Sequence, residues 1–300
     1  MRDDRAQLRG RLLAVAAGAC YGTLGTFSKL FYAHGGRPFE LIVLRFGGTT
    51  LVLGALVALR GRTRPGRRFV LAGLALGAFQ FGANITLLRA FEQAPAGFVV
   101  LVFYVYPLLV TLGGVLLFRE EFGLHRALVL VVGLAGIALT VGTPATTPAL
   151  GAVLALAGGI FTASFILGSR YLLHASTLEP VEVAALMYVL PAAGFAVAAA
   201  IGGFHVPETV AFTWAGGVVL ISSVAAMILF FAAIKAVGAG TAALLATIEP
   251  LVGVVLAYLV LGESLTALQL VGGALVLGSV ASLARRGRLS RRVPAPAPET

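Results

Sequence analysis

The sequence predicts an all-α integral membrane protein of ten transmembrane helices, arranged as two inverted five-helix repeats. Three observations predict it. Of the 300 residues, 59% are hydrophobic and 11% charged, whereas an average soluble chain is about 25% charged. The apolar residues gather into runs near the roughly 17–25 residues that cross a bilayer as a helix, and helices satisfy their own backbone hydrogen bonds in lipid. The third observation is a near-repetition. The stretch "LVFYVYPLLVTLGGVLLFREE" at 101–121 returns as "LLATIEPLVGVVLAYLVLGES" at 244–264, offset by 143 residues, with Pro107 and Glu120 as far apart as Pro250 and Glu263.

The first apolar run, 12–33, follows Arg2, Arg5, Arg9 and Arg11. Its "AAGAC" ending at Cys20 hints at a cleavage site, but the Leu three before the cysteine is missing and the apolar stretch continues, so the run reads as a retained span. Cys20 is the only cysteine, which excludes an intrachain disulfide and a thiolate metal cluster. Further spans are expected at 39–59, 69–91, 95–118, 127–142, 149–172, 182–203, 212–234, 240–261 and 266–284. The connections "HGGRP", "RGRTRPGRR", "EQAPA", "REEFGLHR" and "TPATTPA" are short enough to be turns.

The repetition extends along the chain. "AFEQAPAG" at 90–97 matches "AIKAVGAG" at 233–240, and "RPFE" at 37–40 matches "EPVE" at 179–182. The stripe Gly18, Gly22, Gly25, Lys29 aligns with Gly158, Thr162, Phe165, Ser169 at an offset of 140. The chain therefore divides into a basic N-terminus 1–11, a first five-helix repeat 12–142, a second 143–286 and a Pro-rich tail 287–300 that is expected to be disordered.

Five spans per repeat is an odd number, so the second repeat must enter the membrane inverted. The loop charges agree: 60–68 holds five arginines and its counterpart "FHVPETVA" none. Basic residues cluster at both termini, and the positive-inside rule puts these in the cytoplasm of a multi-pass protein of the plasma or inner cell membrane. The net charge of +10 and the run "RRGRLSRR" at 285–292 are then span-end arginines meeting anionic lipid headgroups, with no nucleic-acid partner. Inverted repeats are an architecture of secondary transporters, which hold substrate near the midplane between the repeats.

The motif "IEPLVGVVLAYLVLGESLTALQLVGGALVLGSV" at 248–280, with its looser copy "VYPLLVTLGGVLLFREEFGLHRALVLVVGLAGIAL" at 105–139, resembles the drug/metabolite transporter superfamily, specifically its EamA-type members. The resemblance covers residues 10–286. Arg119 stands where a Gly is expected, and Gly136 falls one position off the match to Gly278. The resemblance implies a transporter of small polar metabolites, amino acids or drugs, usually exported.

Polar residues within spans need a reason, because a charge at mid-bilayer costs roughly 2.5–3.5 kcal/mol. Glu249 sits near the centre of the ninth span, among Ala242, Ala246, Gly253 and Ala257, a face that lets helices approach or lines a cavity. It is read either as a substrate or proton site or as a protonated group making one interhelix hydrogen bond. Pro250 and Pro107 should kink their helices, with Tyr106 in the place of Glu249 as ligand or packing aromatic. Gly73, Gly77, Gln80 and Asn84 form one helical stripe, and the equivalents in the eighth span are Gly216, Leu220, Ser223 and Met227. Gln80, Asn84, Tyr106, Ser223 and Glu249 are thus the candidate substrate-binding residues. Lys29, Glu40, Arg45 and Arg89 fall near outer span ends, and Arg170, Glu182 and Lys235 near inner ones. They are read as snorkelling side chains or as ion-pair gates, with Lys29 and Arg45 the gate candidates.

The histidines 34, 125, 174 and 205 lie at span ends or in loops, which provides no relay and no metal site. A "GxxxxGK[ST]" phosphate loop does not occur, so no cofactor is expected. The acids are too scattered and the loops too short for a lipid-modifying enzyme, and a receptor would have no soluble domain to signal through. The expected function is secondary transport of a small-molecule substrate by alternating access, with export favoured and membrane lipid as the surrounding partner.

Overall fold

The computed structural model describes residues 2–60, 65–94, 96–120, 123–141, 149–262 and 266–286. The tail 287–300 and Glu263 lie outside them. The described residues are helical throughout, joined by turns. The helices are α1 Arg2–Ala33, α2 Pro38–Leu59, α3 Arg67–Gln93, α4 Ala96–Phe103, α5 Tyr106–Phe118, α6 Leu124–Val141, α7 Ala149–Ala175 and α8 Pro180–Gly202. They continue as α9 Thr209–Val219, α10 Ala226–Val237, α11 Ala239–Ala246, α12 Glu249–Leu261 and α13 Ala267–Arg286. Among them, seven helical stretches are long and apolar enough to cross a membrane, and the apolar parts of α6 and α13 are shorter. Exposed apolar residues such as Leu59, Leu116 and Ile201, each more than 80% exposed, suit a lipid-facing surface, where apolar contact costs nothing.

Helix starts follow local chemistry. Pro38 and Pro180 open α2 and α8, where a missing N–H is harmless. Glu179 and Glu182 form a reciprocal capping box at α8, so Glu182, read from sequence as an inner-end charge, is satisfied by its own helix. In α2 the equivalent Glu40 accepts the backbone N–H of His205 at 3.4 Å.

Three expected spans depart from simple helices. Each proline span is interrupted by a two-residue turn: α4 stops at Phe103 and α5 starts at Tyr106, while α11 stops at Ala246 and α12 starts at Glu249. Each proline sits in the first turn of the second segment, because it can begin a helix but not continue one. The eighth span carries a π-helical turn at Leu220–Ala225 between α9 and α10. A π turn inserts one extra residue and rotates the rest of its helix about the axis.

The packing pairs α3 with α7 and α8, α1 with α10 and α12, α2 with α8, α5 with α11 and α6 with α13. Glycines set the closest approaches: a Cβ on Gly18 would lie 2.7 Å from the carbonyl oxygen of Ala246, and one on Gly22 2.6 Å from that of Glu249. The same contacts orient the helices. Gly10 of α1 meets Ala236 and Val237, the end of α10, so both ends share one face of the bundle with the start of α3, where Arg68 reaches Tyr171 at 3.4 Å.

Candidate functional site

A cavity of about 700 Å³ lies between the two broken helices, within the size range of small-molecule sites. Its walls come from the C-terminal halves of α1 and α3, from α4 and α12, and from the facing side of α7. Exposed Lys29 and Phe91 stand at one end, and Ile166, Phe230 and Ala246 close it at depth.

The breaks put Glu249 and Tyr106 into this space. Glu249 opens α12 and lines the cavity with Pro250, Gly253 and Ala257. Ala246 also lines it, whereas Ala242 is fully buried, so the small-residue face turns from cavity to packing across the break. Tyr106 opens α5, lines the cavity and is 6% exposed. Gln80 and Asn84 line it from α3, and Asn84 Nδ2 donates to the carbonyl of Gln80 at 2.8 Å, which satisfies one amide N–H within the helix.

Arg45 and Ser223 are placed differently from expectation. Arg45, a gate candidate by its position near a span end, lines the cavity interior together with Glu249, and the two interact electrostatically. Its Nε donates to Ser223 Oγ at 3.0 Å. Ser223 is fully buried and holds Arg45 from behind the wall, while Met227, four residues on, lines the cavity. The π turn makes this possible: both Ser222 and Ser223 face inward, Ser222 sharing a 2.6 Å hydrogen bond with Thr23 of α1. In α3, which has no such turn, the matching position is Gln80, which faces the cavity itself. Lys29 lines the mouth.

Sequence reasoning did not single out Tyr21 or Tyr104. Tyr21 hangs on α1, its hydroxyl donating to Met227 Sδ at 3.6 Å. Tyr104 lies in the first break, its ring 5.7 Å from that of Tyr106, and both interact with Glu249. The run "FYVY" at 103–106 was the available signal, since three aromatics beside a helix-breaking proline cannot all point into lipid. The result is one embedded cation and one carboxylate, with aromatic faces around them and two amides opposite. Such a site can hold a small solute by both charge signs at once. Among the described residues no cluster of His, Cys, Asp and Glu could hold a metal ion.

Comparison with known proteins agrees with this architecture. The sequence profile described as the EamA-like transporter family matches residues 8–142 and again 149–285. A protein of Archaeoglobus fulgidus called an uncharacterized transporter is 29% identical over 260 residues, covering 86% of this chain and 90% of the relative. A crystal structure superposes with a TM-score of 0.81 over 92% of this chain and 98% of the other; at 20% identity it speaks for the fold alone.

Proposed function

The chain belongs to the EamA-like transporter family, and from that premise we propose that it is a secondary transporter of small zwitterionic solutes of the amino-acid kind. It works by alternating access between two inverted five-helix repeats that together make ten spans. The observation that carries the solute class is the pairing of Arg45 and Glu249 in one cavity. A planar carboxylate suits a guanidinium fork, and an ammonium suits the carboxylate at the start of α12. The tyrosines and phenylalanines around them accept an apolar side chain, and Gln80 and Asn84 offer hydrogen bonds that set its orientation.

The packing supports the inverted arrangement. Gly18 of α1 meets Ala246 just before one break, as Gly159 of α7 meets Phe103 just before the other, and α6 pairs with α13 as like elements would about an axis in the membrane plane. The cavity mouth lies at the end of Lys29. The opposite end carries the N-terminus of α1, Arg60, Arg67, Arg68 and Arg126, so the positive-inside rule makes that end cytoplasmic and the cavity outward-open. Export then requires the return step, in which the cavity opens to the arginine-rich end.

The test is counterflow in proteoliposomes. Zwitterionic amino acids should exchange saturably, whereas their carboxylate-only and amine-only analogues should compete weakly. Exchange of neutral solutes with no preference for zwitterions would refute the solute class, and no saturable flux of any solute would refute transport. Sidedness is checked separately with cysteines at Thr209 and Arg67 in a Cys20→Ser background. An impermeant thiol reagent on intact cells should label the first and not the second.

A further inference from the structure

A second group of charged side chains lies outside the cavity, at the end of the bundle that holds the N-terminus of α1. Glu120 follows α5, Arg170 stands near the end of α7 and Arg126 in the first turn of α6. Arg170 Nη1 is ion-paired with Glu120 Oε1, and Arg126 Nη1 lies 3.8 Å from Oε2. The Phe118 ring lies 4.3 Å from the Arg170 guanidinium carbon. The Glu120 and Arg170 side chains are only 9% and 16% exposed, so this is not the solvated surface pair that contributes little.

The backbone is built to aim Glu120 inward. Arg119 takes a left-handed conformation with φ 54°, and the Glu120 N–H bonds back to the Gly114 carbonyl at 3.1 Å. This is a helix-ending turn that glycine normally makes. The carboxylate thereby falls against Gly238 and Gly240 at the start of α11, where the helix dipole is positive. A Cβ on Gly238 would lie 2.6 Å from Oε1, and one on Gly240 2.8 Å from Oε2. Gly238 also has φ 84°, so it is required both for its backbone and for the space it leaves. Glu120 thus ties α5 of the first repeat to α7 and α11 of the second. Between this tie and the cavity floor lies a buried layer of Val110, Thr111, Ala242 and Ala243.

The opposite end has a cation at the matching register. The contacts correct the offset of 140 read from the sequence to 141: Gly18 meets the Ala246 carbonyl as Gly159, not Gly158, meets that of Phe103. Lys29 of α1 therefore corresponds to Arg170 of α7 rather than to Ser169, and Lys29 lines the open mouth. We infer that Glu120 and Arg170 form the closure of the arginine-rich end, a pair that must part once in each cycle for the cavity to open there. The inference rests on the reading of the protein as an alternating-access transporter. A desolvated pair suits this role: intact, it holds two repeats together, and its loss leaves Arg170 without its carboxylate or Glu120 with only Arg126, 3.8 Å away.

The test places a reporter beneath the closure: Thr111→Cys in a Cys20→Ser background, in nanodiscs with a charged methanethiosulfonate reagent. Thr111 is 1% exposed, so labelling should be slow. Glu120→Gln and Arg170→Gln should each speed labelling about tenfold or more by raising the population of the open end, while Arg170→Lys should stay near the parent rate. Unchanged labelling in both Gln variants overturns the inference. If neither Gln variant remains monodisperse while Arg170→Lys does, the pair is a structural tie and the inference also falls. Labelling needs no substrate, so the two readings fail separately. Faster labelling without flux in the parent protein sinks transport alone, and flux with unchanged labelling sinks the closure alone.

Discussion

The two broken helices are built to one plan and packed in opposite ways. In each, a short segment ends four residues before a proline, a second segment starts at the residue preceding that proline, and a left-handed residue ends the second segment: Arg119 after α5 and Gly262 after α12. Yet every residue of α11 is buried, and none of α12 is. The second half of the first break, α5, packs against the first half of the second, α11. The reciprocal pair, α4 and α12, faces across the cavity instead. Two copies of one motif are thus packed differently, one pair of segments closed against each other and the other pair separated by the cavity. The plan also differs in one side chain: Tyr106 where its twin has Glu249.

The largest expected effect comes from erasing that side-chain difference. Glu249→Gln keeps shape and hydrogen bonding but removes the charge, and should lower zwitterion flux by about a hundredfold, the loss expected of a charged hydrogen bond in a desolvated site. Tyr106→Phe should cost only about three- to tenfold, as a neutral hydrogen bond does. Equal losses in proteoliposome counterflow would mean that the two breaks are functionally equivalent after all.

Next comes the cation. Arg45→Met should abolish discrimination of zwitterions from their amine analogues. Ser223→Ala, which leaves the guanidinium in place but releases Nε, should raise KM about fivefold with kcat nearly unchanged. Competition by amines read against the zwitterion separates the two, and a Ser223→Ala variant with unaltered KM removes Ser223 from the site.

The contacts behind the breaks are expected to differ in tightness. A Cβ on Gly18 meets the Ala246 carbonyl at 2.7 Å, and one on Gly159 meets the Phe103 carbonyl at 3.1 Å. Gly18→Ala should therefore destabilise by about 2 kcal/mol and Gly159→Ala by about 1 kcal/mol or less, within the usual range for overpacking. Thermal melts in detergent order them, and a reversed order would mean that the α1 side is the more compliant. The smallest effect on transport is that of Arg119→Gly, which relieves a left-handed non-glycine residue and should stabilise by about 1 kcal/mol, with flux unchanged.

How far the sequence reached is clearest at these same residues. Pro107 and Pro250 were legible as interruptions, since a proline acts on its own turn whatever surrounds it. What packs against each interruption was not legible: glycines of α1 and α7 lie against the carbonyls just before the two turns. Gln80 and Asn84 were legible as a stripe because helical periodicity is local. Arg45 was read at a mouth because its place in the span was counted from one end, and no count along α2 reveals the serine of another helix that holds it.

By itself the sequence determined that the chain is helical, membrane-embedded and duplicated. These follow from apolar run length, from the lack of backbone partners in lipid and from similarity at a fixed offset, all of which act within one segment or between aligned segments. Only the tertiary structure decided which polar groups meet: Arg45 with Ser223, Tyr104 beside Glu249, and Glu120 with Arg170 over Gly238. Those pairs join residues far apart in the chain, through a π turn that shifts register by one residue and a left-handed turn at an arginine. The energies that choose such pairings arise only when desolvated charges are brought together, and no local pattern in the chain records that meeting.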